Sequence, residues 1–241
     1  MENILYNATN GARSHMDRLA ITSNNLANNN TPGFKADLFQ AQTMYMKGGG
    51  NAWVIENANG VDLTDGALIP TGRELDVAIQ GKGWFAVKDA QGKESYTRAG
   101  NFKIDANGVL TTANGLPVLG DGGPISIPPF QRLEIGSDGT ISVVPLGANP
   151  DELAVIDRFK LVNPDEKGLS KGNDGLMKMS KGTAESDPTI NVVKGALEGS
   201  NINPVEQMVA MISEGREFDS HMKIMQMVDE NSRQLAQIMH D

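Results

Sequence analysis

Two long stretches with apolar residues at helical spacing lie at opposite ends of the chain, and they restrict its fold more than any other feature. The first covers residues 4–28 and contains Leu5, Ala8, Ala12, Leu19 and Leu26 at spacings built from three and four residues. The second covers residues 204–239 and contains Met211, Phe218, Met222, Met225, Val228 and Leu235. This spacing places apolar side chains on one face of an α-helix. The sequence therefore predicts a helix at each end of the chain.

Each predicted helix needs a surface that covers its apolar face, because an isolated amphipathic helix is only marginally stable in water. The economical arrangement packs the two terminal helices together as a coiled coil, and the alternative packs both of them on the central part of the chain. The apolar stripe of the second helix is too broad for a single partner helix. We therefore expect part of it to contact other subunits, in heterologous contacts that can build an open helical assembly.

The central residues, 36–199, alternate short apolar runs with turn residues. The runs at 75–79, 84–87 and 102–104 are each followed by a glycine-containing turn, which is typical of antiparallel strands. The predicted fold class is α+β, with N- and C-terminal helices paired as a coiled coil and a central all-β domain. We expect four consecutive regions: an N-terminal helix in 1–35, an extended linker in 36–74, a β-rich domain in 75–199 and a C-terminal helix in 200–241.

Composition excludes several classes of function. The formal net charge of −9 argues against nucleic-acid binding, because neutralising phosphates requires an excess of lysine and arginine. The absence of cysteine excludes disulfides and thiol catalysis. No stretch approaches the roughly 20 apolar residues that span a bilayer, so we expect no stable membrane insertion. The first 26 residues lack the charged and apolar segments of a secretory signal.

The motifs of enzymes and cofactor sites are also missing. His15, His221 and His240 lack metal-ligand spacing and are expected on helix surfaces. Gly48, Gly49 and Gly50 lack the lysine and hydroxyl residue of a phosphate-binding loop. The segments 105–108 and 137–140 lack the ligand series of a calcium loop, and hairpin turns explain them better. We therefore expect no catalytic residues, no metal and no cofactor.

Three separated motifs resemble those of flagellar rod and hook proteins. Residues 23–35, Ser-Asn-Asn-Leu-Ala-Asn-Asn-Asn-Thr-Pro-Gly-Phe-Lys, resemble the N-terminal signature of that family. Residues 197–205, Leu-Glu-Gly-Ser-Asn-Ile-Asn-Pro-Val, resemble its C-terminal signature. The segments 75–85 and 96–102 are similar to the β-domain core of the longer rod proteins and of the hook protein. Because the motifs occur in the family's order along nearly the whole chain, the chain is identified as a member.

The resemblance implies a structural subunit of the flagellar basal-body rod, in the periplasm. Such a subunit passes through the flagellar type III export apparatus without a cleavable signal peptide. It assembles with copies of itself and with other proximal and distal rod subunits to transmit torque and to enclose the export channel. The paired helices would form the inner layer of the rod and the β domain would lie outside them. The N-terminal segment would be disordered before incorporation and would order on assembly.

The two asparagine-rich signatures have a local and a functional interpretation. Asparagine, proline and glycine end helices without any partner. The resemblance makes the same residues joints between the helical layer and the β domain, and the two signatures lie at matching places. The predicted joint residues are Asn28, Thr31, Pro32, Gly33 and Phe34 in the first signature and Glu198, Gly199, Ser200, Asn201 and Asn203 in the second. Asn203 and Ser200 are candidate N-caps of the second helix.

Within the family, the segments 117–120 and 123–125 are most similar to proximal-rod members, and a distal-rod or hook-type axial subunit is the near alternative. Two other classes of function stay open at this point. One is a periplasmic cell-wall enzyme, since rods cross the cell wall, although no acid/base or metal constellation supports it. The other is a chaperone or adaptor with paired helices.

Overall fold

A computed structural model describes residues 2–45, 52–148 and 152–238. Two long helices lie at the ends, α1 (Glu2–Ala27) and α2 (Pro204–Ile238). Between them the strands, in chain order, are β1 (Asp37–Tyr45), β2 (Ala52–Val61), β3 (Leu68–Pro70), β4 (Val77–Gln80), β5 (Trp84–Lys88), β6 (Glu94–Thr97), β7 (Lys103–Ile104), β8 (Leu110–Thr111), β9 (Leu119–Gly120), β10 (Gly123–Pro124), β11 (Phe130–Ile135), β12 (Thr140–Pro145), β13 (Ala154–Arg158), β14 (Leu161–Val162), β15 (Leu169–Lys171), β16 (Met177–Met179), β17 (Asn191–Lys194) and β18 (Ala196–Glu198). A single turn of 3₁₀-helix, Glu166–Gly168, precedes β15.

The described residues form two compact units, each made of several stretches of chain. The helical unit contains the described parts of Met1–Asn29, Ala36–Asp62 and Ile202–Asp241. The β unit contains Asn30–Lys35 and the described parts of Leu63–Asn201. The predicted fold class is confirmed, because the two terminal helices pack together and flank a central region rich in strands.

In the helical unit, α1 and α2 are accompanied by a two-stranded antiparallel ribbon. Strand β1 pairs with β2 from Asp37↔Val61 to Tyr45↔Ala52, with a bulge at Leu38/Phe39. The sequence predicts an extended linker over 36–74, and the structure instead shows this ribbon within it. Ladder hydrogen bonds join main-chain groups, so a strand pair can form where the side chains show no apolar alternation. The four-region division of the chain remains a proposal.

The β unit is built from antiparallel pairs around one apolar core. Its largest sheet has the strand order β14-β5-β6-β16-β15, and a second sheet has the order β11-β12-β13. Three aromatic rings meet in the core, with centroid distances of 5.1 Å for Phe85–Phe102, 5.5 Å for Phe85–Phe159 and 5.4 Å for Phe102–Phe159. All three side chains are fully buried. Burial of such large apolar surfaces is the main stabilising contribution to a unit of this kind.

Turns in the β unit are closed by carboxylates that bind their own backbone. Asp105 Oδ1 accepts hydrogen bonds from the main-chain nitrogens of Asn107 and Val109, both 2.8 Å away. The bond from Val109 is the main cause of the lowered pKa of Asp105. Asp138 accepts from the hydroxyl and the main-chain nitrogen of Thr140 in the same way, and its pKa is also lowered. The prediction of hairpin turns at 105–108 and 137–140 is thus consistent with this geometry.

The first and last strands of the β unit pair with each other. Strand β3 pairs with β18, and β4 pairs with β17. This pairing brings the residues that precede β3 close to the residues that follow β18, since Gly199 N donates to the carbonyl of Ala67 at 2.8 Å. The start and the end of the β unit's main stretch of chain therefore lie side by side.

Candidate functional site: the helix pair and the joint residues

The two terminal helices pack antiparallel. Thr9 Oγ1 of α1 donates to Met225 Sδ of α2 at 3.5 Å. Further along α1, His15 Nδ1 lies 2.5 Å from Glu214 Oε2, which is eleven residues earlier in α2. Residues later in α1 therefore contact residues earlier in α2. We call the contact surface between the two helices the seam.

The α1 side of the seam follows the predicted stripe. Ala8 and Ala12 are buried, and Leu19 and Leu26 are half-buried. The side chain of Leu5 lies outside the described residues. The small alanine side chains let the second helix approach closely, which explains their burial at helical spacing.

On α2, Met222 differs from the other described residues that were predicted to pack in the seam. Met211, Phe218, Met225 and Val228 are half-buried, whereas Met222 is 38% exposed and lies beside the seam. The side chain of Leu235 lies outside the described residues. The neighbouring His221 occupies the position in the seam that the apolar pattern predicts for Met222.

His15 and His221 are half-buried between the helices, so their predicted place on helix surfaces is wrong. Their ring centroids are 5.3 Å apart. The His221 ring lies against Gly11, where an added Cβ would sit 2.5 Å from its Cε1 atom. Gly11 lies on the apolar stripe of α1, and a glycine there could have indicated that a bulky side chain of the other helix packs against it. His240 lies outside the described residues.

A second apolar stripe on α2 is left exposed by the part of the chain that the structure describes. It comprises Val205, Met208, Val209 and Ile212, which follow the i, i+3, i+4, i+7 spacing of one helix face and are all more than half exposed. We call these four residues the assembly face. Other exposed apolar side chains of the helix pair are Tyr6, Met16, Met222 and Met227. Exposed apolar side chains grouped on one helix face are typical of interaction sites.

The first group of predicted joint residues begins at the end of α1. Asn28 Nδ2 donates to the carbonyl of Asn24 at 2.9 Å, and Asn28 belongs to the helical unit. Residues Asn30–Lys35, which we call the anchor segment, belong to the β unit and include Thr31, Pro32, Gly33 and Phe34. The Gly33 nitrogen donates to the carbonyl of Glu198 at 2.8 Å. Gly33 has a φ of 66° and packs so closely on the Arg98–Ala99 backbone that no Cβ would fit.

The second group of predicted joint residues follows β18. Gly199, Ser200 and Asn201 belong to the β unit, and Asn201 Nδ2 donates to the carbonyl of Thr64 at 3.3 Å. Asn203 belongs to the helical unit, and its Oδ1 accepts from the Val205 nitrogen at 3.1 Å. Asn203 therefore caps the N-terminus of α2, as one of the two candidates predicted from the sequence.

Within the β unit, four charged side chains form a cluster that the sequence did not predict. We call Lys35, Asp65, Arg98 and Glu198 the charge cluster. Lys35 Nζ lies 2.7 Å from Glu198 Oε1, and Arg98 Nη1 lies 2.9 Å from Glu198 Oε2. Asp65 Oδ1 is 3.8 Å from Lys35 Nζ and 3.4 Å from Arg98 Nη2. Only Glu198 of the four is among the predicted site residues.

Three of the four residues of the charge cluster are almost completely shielded from water. Residue exposures are 3% for Lys35, 4% for Arg98 and 2% for Glu198, while the Asp65 side chain is half exposed. Buried charges of this kind persist only when they are paired and hydrogen-bonded. Two further contacts meet this need, since Lys35 Nζ donates to the Thr64 carbonyl at 2.6 Å and Gly66 N donates to Glu198 Oε1 at 3.0 Å.

The described residues offer no site for metal chemistry. Across 2–45, 52–148 and 152–238, histidine, aspartate and glutamate side chains nowhere gather in threes with the geometry of a metal site. None of the described helices has the length and apolarity that crossing a membrane requires.

Three family profiles match the chain in the order of the sequence motifs. The profile described as flagella basal body rod protein matches residues 5–35. The profile described as flagellar hook protein FlgE/F/G D1 domain matches residues 78–143. The profile described as flagellar basal body rod FlgEFG protein C-terminal matches residues 193–238. Together they cover both helices and the start of the β-rich region.

Curated relatives match over the full length. The flagellar basal-body rod protein FlgF of Salmonella typhimurium is 38% identical over 249 aligned positions, which cover 99% of each chain. FlgF of Escherichia coli is 37% identical with the same coverage. The flagellar basal-body rod protein FlgG of Bacillus subtilis is 33% identical over 261 positions, which cover 97% of this chain and 98% of that protein.

Proposed function

Because the chain belongs to the flagellar basal-body rod protein family and is a structural subunit of the rod, we propose that its antiparallel helix pair is the part that binds neighbouring subunits. Membership in a family of structural rod proteins makes it a non-enzymatic protein that assembles with other rod subunits. The observation that carries the proposal is the assembly face, an exposed apolar stripe on a helix whose opposite side is already packed on α1.

The size of the exposed stripe supports a contact between subunits. Full burial of one large aliphatic side chain contributes about 1.5–3 kcal/mol, so four such residues offset a substantial part of the cost of association. If the face paired with its own copy, the contact would close as a dimer, so an assembly that grows requires a different partner surface. Contacts between unlike surfaces repeat without closing when the rotation between subunits permits, and they then build an open helix.

The predicted packing residues would act on the inside of the helix pair. We propose that Leu5, Ala8, Ala12, Leu19 and Leu26 of α1 and Met211, Phe218, Met225, Val228 and Leu235 of α2 hold the two helices together. Met222, which lies beside the seam, would contact another subunit. The two groups of predicted joint residues, 28–34 and 198–203, would connect the inner helices to the β-rich outer domain. We propose accordingly that the chain is divided into the regions 1–35, 36–74, 75–199 and 200–241.

We propose the proximal rod as the place of this subunit. Full-length identity is 38% and 37% to two FlgF proteins and 33% to one FlgG protein, which supports a FlgF-type position. The neighbours would then be copies of the same chain and the proximal and distal rod subunits. A distal-rod position is the alternative. The subunit would reach the periplasm through the flagellar type III export apparatus, would transmit torque and would line the export channel.

The proposal is tested by placing charge on the assembly face. Met208→Asp combined with Ile212→Asp, in the full-length chain, is expected to change the thermal unfolding of the purified protein little, because both side chains are more than half exposed. In cells that lack the native copy, the variant is expected to be missing from isolated basal bodies, and motility in soft agar should be lost. The control Gln91→Glu adds a negative charge to an exposed turn of the β unit. Normal incorporation and motility of the double variant would overturn the proposal.

A further inference from the structure

We infer that the anchor segment, Asn30–Lys35, is a latch that closes on the β unit through the buried carboxylate of Glu198 and can open while that unit stays folded. The inference concerns the isolated chain and does not depend on the proposed function. Its basis is the unusual place of these six residues along the chain. The stretches on either side of them, Met1–Asn29 and Ala36–Asp62, belong to the helical unit.

The hydrogen bonds that join Gly33, Phe34 and Lys35 to the rest of the β unit lie outside the helices and the sheet ladders. The residues of the anchor segment adopt turn and irregular conformations. The Gly33 nitrogen donates to Glu198 O at 2.8 Å, and the Phe34 carbonyl accepts from the Asn201 nitrogen at 3.4 Å. Such a segment can separate from its surroundings without breaking a ladder of main-chain hydrogen bonds. Local opening of this kind costs less free energy than global unfolding.

The carboxylate of Glu198, which binds Lys35 in the closed latch, keeps other partners when Lys35 leaves. Glu198 Oε2 accepts from Arg98 Nη1 at 2.9 Å, and Oε1 accepts from Gly66 N at 3.0 Å. Arg98 is fixed in turn, because Nη2 donates to the Gly81 carbonyl at 2.8 Å and its guanidinium lies 5.4 Å from the Trp84 ring centroid. An open latch would therefore leave one cation, Arg98, between two carboxylates, Glu198 and Asp65. No buried charge of the β unit would lose its only partner.

Closure depends on three successive residues of the segment, each with its own requirement. Gly33 fits against the Arg98–Ala99 backbone because it has no Cβ. The Phe34 ring lies 3.8 Å from Lys171 Nζ, which also donates to the Lys35 carbonyl at 2.8 Å. The Lys35 ammonium leaves water for a site that is 3% exposed, and such a transfer is favourable only toward an opposite charge. Each of the three residues, Gly33, Phe34 and Lys35, thus makes a different contact that the closed latch requires.

Closure of the latch also orders the end of the β unit. Glu198 is the last residue of β18 and pairs with Leu68 of β3, and Asn201 lies just before α2. Since Gly33 and Phe34 hydrogen-bond to the main chains of Glu198 and Asn201, the segment that follows α1 and the segment that precedes α2 are fixed in one event. The charge cluster therefore couples the ordering of the two joints.

The test measures hydrogen exchange of the full-length chain in D₂O. Lys35→Met removes the latch charge, and exchange at the Gly33 amide is expected to rise at least tenfold. Amides of β4, β5 and β6 should keep their native exchange rates. Lys82→Met is the matched control, because Lys82 pairs with Glu166 at 3.0 Å on the exposed surface of the same unit. It should leave the exchange at Gly33 unchanged.

A second variant keeps the test decisive if Lys35→Met fails to fold. Phe34→Ala leaves every charge in place and removes only the ring under Lys171, and it should also accelerate exchange at Gly33 while the strands stay protected. Unchanged exchange at Gly33 in both variants would refute the latch. Faster exchange throughout β4–β6 whenever Gly33 is exposed would refute it too, since the segment would then be part of the global core. Neither outcome bears on the assembly face, which lies on α2.

Discussion

Individual side chains in this molecule show how small and polar residues set the fit of a helix pair. Gly11 leaves room for the His221 ring, and His15 reaches Glu214 across the seam. Gly215 also lies within a helix, but a Cβ added there would meet no atom within 4 Å. The two helical glycines therefore differ in surroundings and not in backbone geometry.

This difference predicts opposite effects of the same substitution. Gly215→Ala should raise the free energy of unfolding by up to about 1 kcal/mol, because alanine favours the helix. In Gly11→Ala the new methyl group displaces the His221 ring, and overpacking of about 1–3 kcal/mol should cancel or exceed the same gain. Urea unfolding followed by circular dichroism at 222 nm measures both values. Adding His221→Ala to Gly11→Ala should recover stability, and an equal gain for both single alanine variants would contradict the described seam.

A buried phenol in the β unit predicts a pH dependence of stability. Tyr96 Oη accepts from the Ala184 nitrogen at 2.8 Å and donates to Glu94 Oε1 at 3.1 Å. Burial, together with the neighbouring charge of Glu94, raises the pKa of Tyr96 from 10.0 to about 12. Because the folded-state pKa exceeds the unfolded value, this group's stabilisation is complete below pH 10 and is lost as the pH rises toward 12.

The expected loss is about 2 kcal/mol between pH 10 and 12, since one pKa unit corresponds to about 1.4 kcal/mol. Tyr96→Phe should remove this contribution, and it should also lower stability at neutral pH by about 1–3 kcal/mol because the Ala184 nitrogen loses its acceptor. Unfolding in urea at pH 8 and at several higher pH values gives, for the native protein and for Tyr96→Phe, the slope of the unfolding free energy against pH. Identical slopes for the two proteins above pH 10 would contradict the buried environment of Tyr96.

At the scale of elements, the helices could be predicted from the sequence and the polar contacts between them could not. Helical spacing is a local property, so it was sufficient to predict the helix α1, in which Ala8 and Ala12 are buried. The hydrogen bond between His15 and Glu214 joins residues 199 positions apart. The pair of Lys35 and Glu198 spans 163 positions. No local pattern identifies such partners, although Lys35 and Glu198 lie within the two asparagine-rich signatures.

The antiparallel direction of the helices can be tested with engineered cysteines, because the native chain has none. Thr9→Cys with Met225→Cys should form an intramolecular disulfide under mild oxidation, since these two side chains are in contact. Thr9→Cys with Met211→Cys should not, because 211 lies on the far side of the His15–Glu214 contact. Free-thiol titration and gel mobility report the result. Efficient oxidation of the second pair alone would contradict the antiparallel seam.

At the scale of the whole molecule, the two units do not follow the linear order of the chain. The chain passes between the helical unit and the β unit after residues 29, 35, 62 and 201. A reading of consecutive patterns predicts consecutive regions, so it could not assign Asn30–Lys35 to the β unit or the β1–β2 ribbon to the helical unit. The paired helices, the strand-rich centre and the rod family were nevertheless predictable, because their motifs are short and contiguous.

We propose that this rod subunit binds its neighbours through the assembly face of α2. A map of the intact basal body at side-chain resolution, from cells whose rod contains this chain, tests it most directly. The account predicts that Val205, Met208, Val209 and Ile212 contact helices of adjacent subunits in the proximal rod. A map in which these four side chains face the open channel, with all contacts between subunits made by the β unit, would contradict it.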